Sequence, residues 1–422
     1  MRTASHTLAF HWNTPKFLLR LARAKGDVAH FRLGRSNAVL LSHPDLVRAV
    51  LVDHAGDFRK GRLMQRARRL LGDGLLTSEG ETHRFHRRRI QPAFTRERLR
   101  GYGAYAVAVA RRRTDTWRRG MRLDLGREMN ALTMNIVAGA LLGTDLDDQL
   151  PALGRALHLL ARWAPLLAAP GGEFLERTRL PALGRIREAL DLLDTVIEQR
   201  IVAVRGGTSL MAALQDEAAS LTPRQVRDEV MTIFLAGHDT TAATLTWIWL
   251  LLSLHPKVEA HLRGELEHVL EGRMPGPDDL ERLPYLGAVV RETLRLYPPI
   301  GRIGRRPVRP VRLVGVTLEQ DMAVFLSPFV TQRDARWFPE PERFRPERWD
   351  APAPERSRFT WFPFGAGPRS CIGETFARTV IPLVVATVAQ RWRLAASRRT
   401  LPPIRPLLTL KPRGTVWMRA EP

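Results

Sequence analysis

The chain contains one cysteine, Cys371, set in Phe362-Pro363-Phe364-Gly365-Ala366-Gly367-Pro368-Arg369-Ser370-Cys371-Ile372-Gly373. A lone thiol excludes intramolecular disulfides and any four-thiolate zinc or iron–sulfur site. The thiolate is the metal-binding form, favoured near positive charge and at a helix N-terminus. Arg369 lies two residues before the cysteine, and an apolar-periodic helix is predicted from about Ile372 to Trp392. Gly365, Gly367 and Gly373 let the backbone approach a flat object and aim amide hydrogens at the sulfur. Nothing nearby could complete a tetrahedral site, so a bulky planar ligand fits better than a small metal ion. The alternatives are an inert buried thiol and a nucleophile that needs a histidine partner.

A second polar group interrupts a long apolar helix. Thr222-Pro223-Arg224-Gln225 reads as N-cap, N1 proline and capping box, and the helical pattern runs on to His255-Pro256. In its middle stands Ala236-Gly237-His238-Asp239-Thr240-Thr241. Small residues at 236 and 237 allow a cofactor or dioxygen close to the backbone, and a threonine hydroxyl that bonds back into a helix can loosen it. Glu292 and Arg295 share one helix face three residues apart, and His83 and Arg87 share another four apart. Each of these spacings also occurs in plain core or solvated helices.

These groups are positioned by a mainly helical chain. A hairpin is predicted over residues 27–41, then a helix from Pro44 to about Asp53. Helical pattern dominates from about 82 to 270, short apolar strands return over 308–330, and 338–370 is a proline-rich stretch leading to Cys371. A structureless segment of that length inside a compact domain is expected to be functional. No repeat or linker divides the chain, which predicts one large, mainly α domain with a minor β-sheet.

Of 422 residues, 44% are apolar, and the net charge is +23. The basic residues include only five lysines against 61 arginines. Such charge suits an anionic partner, yet the arginines are scattered and carry no nucleic-acid-binding signature. Lys16, Arg20, Arg23 and Lys25 interrupt the N-terminal region, and the run Leu245–Leu254 is half of the roughly 20 residues a membrane span requires. The expectation is a cytoplasmic protein.

From Phe364 to Gly373 the chain matches F-x-x-G-x-R-x-C-x-G at every fixed position, and it resembles the cytochrome P-450 family of haem-thiolate monooxygenases. The resemblance implies a single domain over residues 1–422, without a fused reductase, that binds haem b through the Cys371 thiolate, with Phe364, Gly365 and Gly373 shaping the haem loop. An axial thiolate pushes electron density towards O–O cleavage. By the same resemblance Asp239 and Thr240 deliver protons during oxygen activation, and Thr241 shares the role. Glu292, Arg295 and Arg348 form a buried structural network, with Arg343 as the fallback for Arg348. His83, Arg87, Arg305 (or its neighbour Arg306) and Arg369 hold the propionates. Leu235, Ala236, Ile300 and Gly301 line the distal pocket, and Leu63, Met64, Leu70 and Leu71 form its lid.

The chain has no dinucleotide fingerprint and no cysteine cluster. Electrons are therefore expected from a separate ferredoxin or flavodoxin with its reductase, docking on a monomer at the basic face near the thiolate. An apolar pocket favours hydroxylation of a lipophilic substrate, a terpenoid or carotenoid. Fatty-acid hydroxylation and a non-catalytic haem-thiolate sensor are the alternatives.

Overall fold

A computed structural model describes residues 3–143, 152–156, 159–160, 163, 181–203, 209–210, 221–350, 357–406 and 409–422. Its longer helices are α1 (Thr3–Trp12), α2 (Thr14–Lys25), α3 (Arg62–Leu71), α4 (Gly80–Ile90), α5 (Arg96–Asp115), α6 (Leu125–Leu142), α7 (Pro181–Ala203), α8 (Pro223–Leu254), α9 (Pro256–Leu270), α10 (Pro284–Leu296) and α11 (Glu374–Ala389). The side chain of Leu70, one of the expected lid residues, lies outside the described residues.

Helix α8 forms the axis of the molecule. Its first turn is closed as the sequence predicts: the Gln225 amide donates to Thr222 Oγ1 and the Thr222 amide donates to Gln225 Oε1. Its C-terminal half is apolar on every side and buried, with Trp247 and Trp249 among the largest fully buried side chains. This half packs into one apolar core with residues of α5, α6, α9, α10 and α11. The N-terminal half, including Val230, Met231 and Phe234, joins a second core with α6 and α7.

Strands are short and form small sheets. The principal one has five strands in the order β1-β2-β8-β5-β3. The hairpin β1 (Val28–Leu33) and β2 (Ser36–Leu41) is antiparallel, and β8 (Ala323–Leu326) joins β2 in parallel. Strand β5 (Ile303–Pro307) runs antiparallel to β8, and β3 (Phe58–Lys60) runs antiparallel to β5, which pairs Lys60 with Arg305. Strands β4 (Arg122–Asp124), β12 (Trp417–Glu421) and β9 (Arg393–Ala396) make a second sheet. Two hairpins complete the set, β6 (Val311–Leu313) with β7 (Val316–Leu318), and β10 (Ile404–Pro406) with β11 (Leu410–Pro412). No described helix is long and apolar enough to cross a membrane.

Candidate active site

The cysteine loop is held from behind by a buried charge network. Glu292 and Arg295 of α10 are both fully buried; Arg295 Nε donates to Glu292 Oε2 at 2.8 Å and Nη2 donates to Oε1 at 2.9 Å. Arg348 Nε donates to Glu292 Oε1 at 2.8 Å, and Trp349 Nε1 donates to Oε2 at 3.1 Å. Arg343 does not take that place: its exposed side chain pairs with Glu340, and only its carbonyl accepts from Arg295. Arg295 Nη1 also donates to the carbonyls of Gln332 and Pro341. Gln332 closes the chain of contacts, donating to the carbonyls of Leu294 and Arg295 while its Oε1 accepts from the Phe362 amide at 3.0 Å. Phe362 opens the cysteine loop, so the network fixes that loop's root.

Within the loop, the Gly365 amide donates to Phe362 O and the Cys371 amide to Phe364 O. Gly365 and Gly367 have φ of +72° and +69°. A Cβ at Gly367 would also lie 1.9 Å from the Leu51 carbonyl oxygen, so contact with the 49–53 turn itself requires glycine there. The helix starts later than its periodicity predicts, at Glu374 with Gly373 as its N-cap. Gly373 still donates a hydrogen bond to the sulfur, and the Arg87 charge favours the thiolate. Burial outweighs both and pushes the Cys371 thiol up to about 11. Cys371 is nevertheless an exposed residue and not part of the close-packed core. Arg369, expected beside the thiolate, instead pairs with Glu79.

The α8 segment that leads into the polar turn shares a core with the cysteine loop. Ile372 packs into the same apolar core as Phe234 and Leu235. Thr240 Oγ1 donates to the Ala236 carbonyl at 2.7 Å, and the helix remains continuous through this turn. Ala236 is exposed in an otherwise enclosed stretch, Thr240 is half-buried and Thr241 is buried. A Cβ on Gly237 would lie 3.4 Å from a Val137 methyl of α6, an ordinary contact, so helix packing does not itself demand a glycine there. Asp239 is held by Lys411, and its Oδ2 accepts from Thr409 Oγ1 at 2.6 Å. These partners keep its carboxyl below the usual range although burial opposes them. His238, buried beside it, is driven towards the neutral form chiefly by burial and bonds through Nδ1 to Phe234 O. On the facing segment, Ile300 is half-buried, and Gly301 accepts from Ser327 and abuts Leu410.

A third group gathers cations. The β3–β5 register sets Lys60 opposite Arg305. Arg305 senses Arg369 and Glu79, whereas Arg306 points to the other face, towards Asp321. Burial lowers Arg305 to about 10, Lys60 to about 8 and His83 to about 3, the last helped by Lys60, Arg369 and Arg87. His83 is thus a neutral imidazole. Arg87 donates to Ser370 O at 2.7 Å and to Ser370 Oγ at 3.1 Å. The sequence reading missed Lys60 and Glu79: Lys60 Nζ is capped by the carbonyls of Leu75 and Ser78, and its amide donates to Glu79 Oε1. The scarcity of lysine in so arginine-rich a chain was the available signal. Of the other arginines on α4, Arg84 lies beside Glu81 and Arg89 over the Phe85 ring.

The family model for cytochrome P-450 matches residues 6–418. The chain belongs to the cytochrome P-450 family. It is 37% identical over 408 residues to cyclooctat-9-en-7-ol 5-monooxygenase of Streptomyces melanosporofaciens, covering 92% of this chain and 87% of that protein. Cyclooctatin synthase of the same organism is 35% identical over 431 residues, covering 99% and 94%. Pentalenene oxygenase of Streptomyces avermitilis is 33% identical over 397 residues, covering 90% and 87%. This P-450 is accordingly a haem-thiolate monooxygenase, an oxidoreductase that uses haem b and takes its electrons from a redox partner.

The residues present fit that cofactor. Haem brings two carboxylates, and desolvated carboxylates need cationic or donor partners. The cluster of Lys60, His83, Arg87, Arg305 and Arg369 would supply them, with Glu79 already paired to Arg369. Arg369 Nη1 is buried and lacks a hydrogen-bond partner among the described residues. The single thiol would supply the iron ligand, and no group of three or more His, Cys, Asp or Glu that could hold another metal occurs among the described residues.

Proposed function

We propose that this P-450 hydroxylates a terpenoid, an apolar cyclic alkene or alkenol, with the Cys371 thiolate as the group that would hold the haem iron. The observation that carries this reading is the sole cysteine's loop, whose next residue Ile372 shares one apolar core with Phe234 and Leu235, the residues that lead into the Ala236–Thr241 turn. Haem, when bound, supplies reductive activation of dioxygen and transfer of one oxygen atom into a substrate C–H bond. Gly373 tempers the electron donation of the sulfur through its amide. Phe364 packs as an edge-on ring against Trp361, and with Gly365 it shapes the loop. His83, Arg87, Arg305 and Arg369 hold the propionates.

Thr240 Oγ1 donates its one proton to Ala236 O, which leaves its lone pairs to accept a proton on the cleft side. Asp239 resupplies it as a carboxylate that collects protons from solvent, and Thr241, one residue on, shares the role. Leu235, Ala236, Ile300 and Gly301 offer an uncharged wall that suits a lipophilic substrate. The names of the Streptomyces relatives, an alkene oxygenase and an alkenol monooxygenase, favour a cyclic terpenoid over a fatty acid.

The electron donor is an acidic ferredoxin or flavodoxin with its reductase, serving a cytoplasmic monomer in which residues 1–422 act as one domain. A cavity of about 540 Å³ beside the cysteine loop supports its docking site. There Arg291 lies over Trp349 and Trp361, and Arg378 lies over Trp361 and Phe364. Aromatic stacking fixes these guanidinium groups, and fixed positive charge steers an acidic partner.

Difference-spectrum titration of the ferric protein tests the substrate class. Cyclic terpenoid alkenes and alkenols are expected to produce the saturable high-spin shift that marks water leaving the iron. A shift with fatty acids alone would replace the terpenoid with the fatty-acid reading.

A further inference from the structure

The acid of the α8 turn is gripped by a different part of the chain. Thr409 and Lys411 belong to the β10–β11 hairpin, 170 and 172 residues beyond Asp239, and they bind its two carboxylate oxygens separately: Thr409 Oγ1 donates to Oδ2 and Lys411 Nζ to Oδ1. The pair is largely withdrawn from solvent, with side-chain exposures of 28% for Lys411 and 20% for Asp239. Leu410, between them, anchors the strand. Its amide donates to Pro299 O at 2.9 Å, and its carbonyl accepts from Trp247 Nε1 at 2.8 Å. Its side chain reaches within 2.8 Å of the site a Cβ would occupy on Gly301. One strand therefore touches the acid, the axial helix and the 299–301 wall.

We propose that Lys411 and Thr409 are positioning residues for proton delivery, setting the orientation and charge of the Asp239 carboxylate from strand β11. The choice of lysine is informative in a chain with 61 arginines and five lysines. An ammonium is a compact charge on a flexible stem, able to follow a carboxylate that turns, whereas a guanidinium fork would clamp both oxygens in one plane. Thr409 fixes the second oxygen, which leaves rotation about the Lys411 contact as the available motion. The other titratable group facing Asp239 is His238, which is neutral and bonded to Phe234 O. Lys411 is thus the cation that holds Asp239 ionised. This inference rests on the monooxygenase reading.

The test uses the haem-loaded protein and the variants Lys411→Met, Lys411→Arg and Thr409→Val. Infrared pH titration follows the Asp239 carboxyl band, assigned by its loss in Asp239→Asn. In parallel, product formed per reductant consumed and the solvent isotope effect are measured. Lys411→Met is expected to raise the pH at which Asp239 protonates, to lower coupling severalfold and to change the isotope effect, with the substrate-induced spin shift preserved. Lys411→Arg keeps Asp239 ionised and restores its titration, with coupling between that of Lys411→Met and wild type because the guanidinium clamps the carboxylate. Thr409→Val, which removes one hydrogen bond and no charge, moves coupling less and in the same direction, so it serves if Lys411→Met folds poorly. An unchanged titration and coupling in Lys411→Met, or Lys411→Arg behaving as Lys411→Met, overturns the proposal. Failure of the monooxygenase reading shows separately, as wild-type protein without a thiolate spectrum or product.

Discussion

Glu292→Ala is expected to lower the unfolding free energy by about 3–5 kcal/mol and to abolish stable haem retention. The carboxylate is fully buried and receives hydrogen bonds from Arg295, Arg348, Trp349 and the Arg345 amide. Removing it strands two buried guanidinium charges, and the penalty of leaving them unpaired, more than the loss of attraction, sets the size of the effect. Native domains are stable by about 5–15 kcal/mol, so a large part of the margin would be lost. The damage also has a direction: Arg295 ties α10 to Gln332, and Gln332 holds the Phe362 amide at the root of the cysteine loop. Denaturant unfolding and haem content measure both consequences. Arg343→Ala, which removes an exposed side chain outside the pair, should stay within about 0.5 kcal/mol of wild type. An alanine at 292 that unfolds like wild type would contradict the structural role of the network.

Asp239→Asn is expected to slow product formation by about 10²-fold or more, the usual contribution of a positioned proton-transfer group. The amide keeps the shape and can still accept from Thr409 Oγ1, but it cannot carry a proton or a charge. Reductant consumption should continue, with peroxide replacing hydroxylated product. Substrate binding should survive, because the variant leaves the apolar wall of Leu235, Ala236, Ile300 and Gly301 intact. Product yield per reductant, peroxide release and the substrate-induced spin shift together separate loss of proton delivery from loss of binding. Coupling equal to wild type would remove Asp239 from the relay.

Features carried by local spacing were legible in the sequence. The capping box at Thr222–Gln225 closes within one turn, Glu292 and Arg295 meet because residues three apart share a helix face, and the cysteine loop lies within a dozen contiguous residues. Features that depend on tertiary pairing were not. The choice between Arg305 and Arg306 awaited the β3–β5 register, and strands of three to five residues rich in arginine carry no alternation to announce them. The same register brings Lys60 to the cation cluster. Lys411 and Thr409 reach Asp239 across more than 160 residues, and no periodicity reports such a contact. Gly367 illustrates a subtler limit: its type suggested ligand approach, and the backbone carbonyl of Leu51, which by itself demands a glycine, lies more than 300 residues away in sequence. The thiol is a similar case, since proximity of Arg369 in sequence suggested an easy thiolate while burial holds the free thiol up.

The most direct measurement is the carbon monoxide spectrum of the reduced protein beside that of Cys371→Ser. Wild-type protein should show the red-shifted Soret band of thiolate-ligated haem, and the serine variant should lose it together with product formation. A serine variant that keeps this band and oxidises the same substrate at the wild-type rate would contradict the assignment of the chain's one sulfhydryl as the iron ligand.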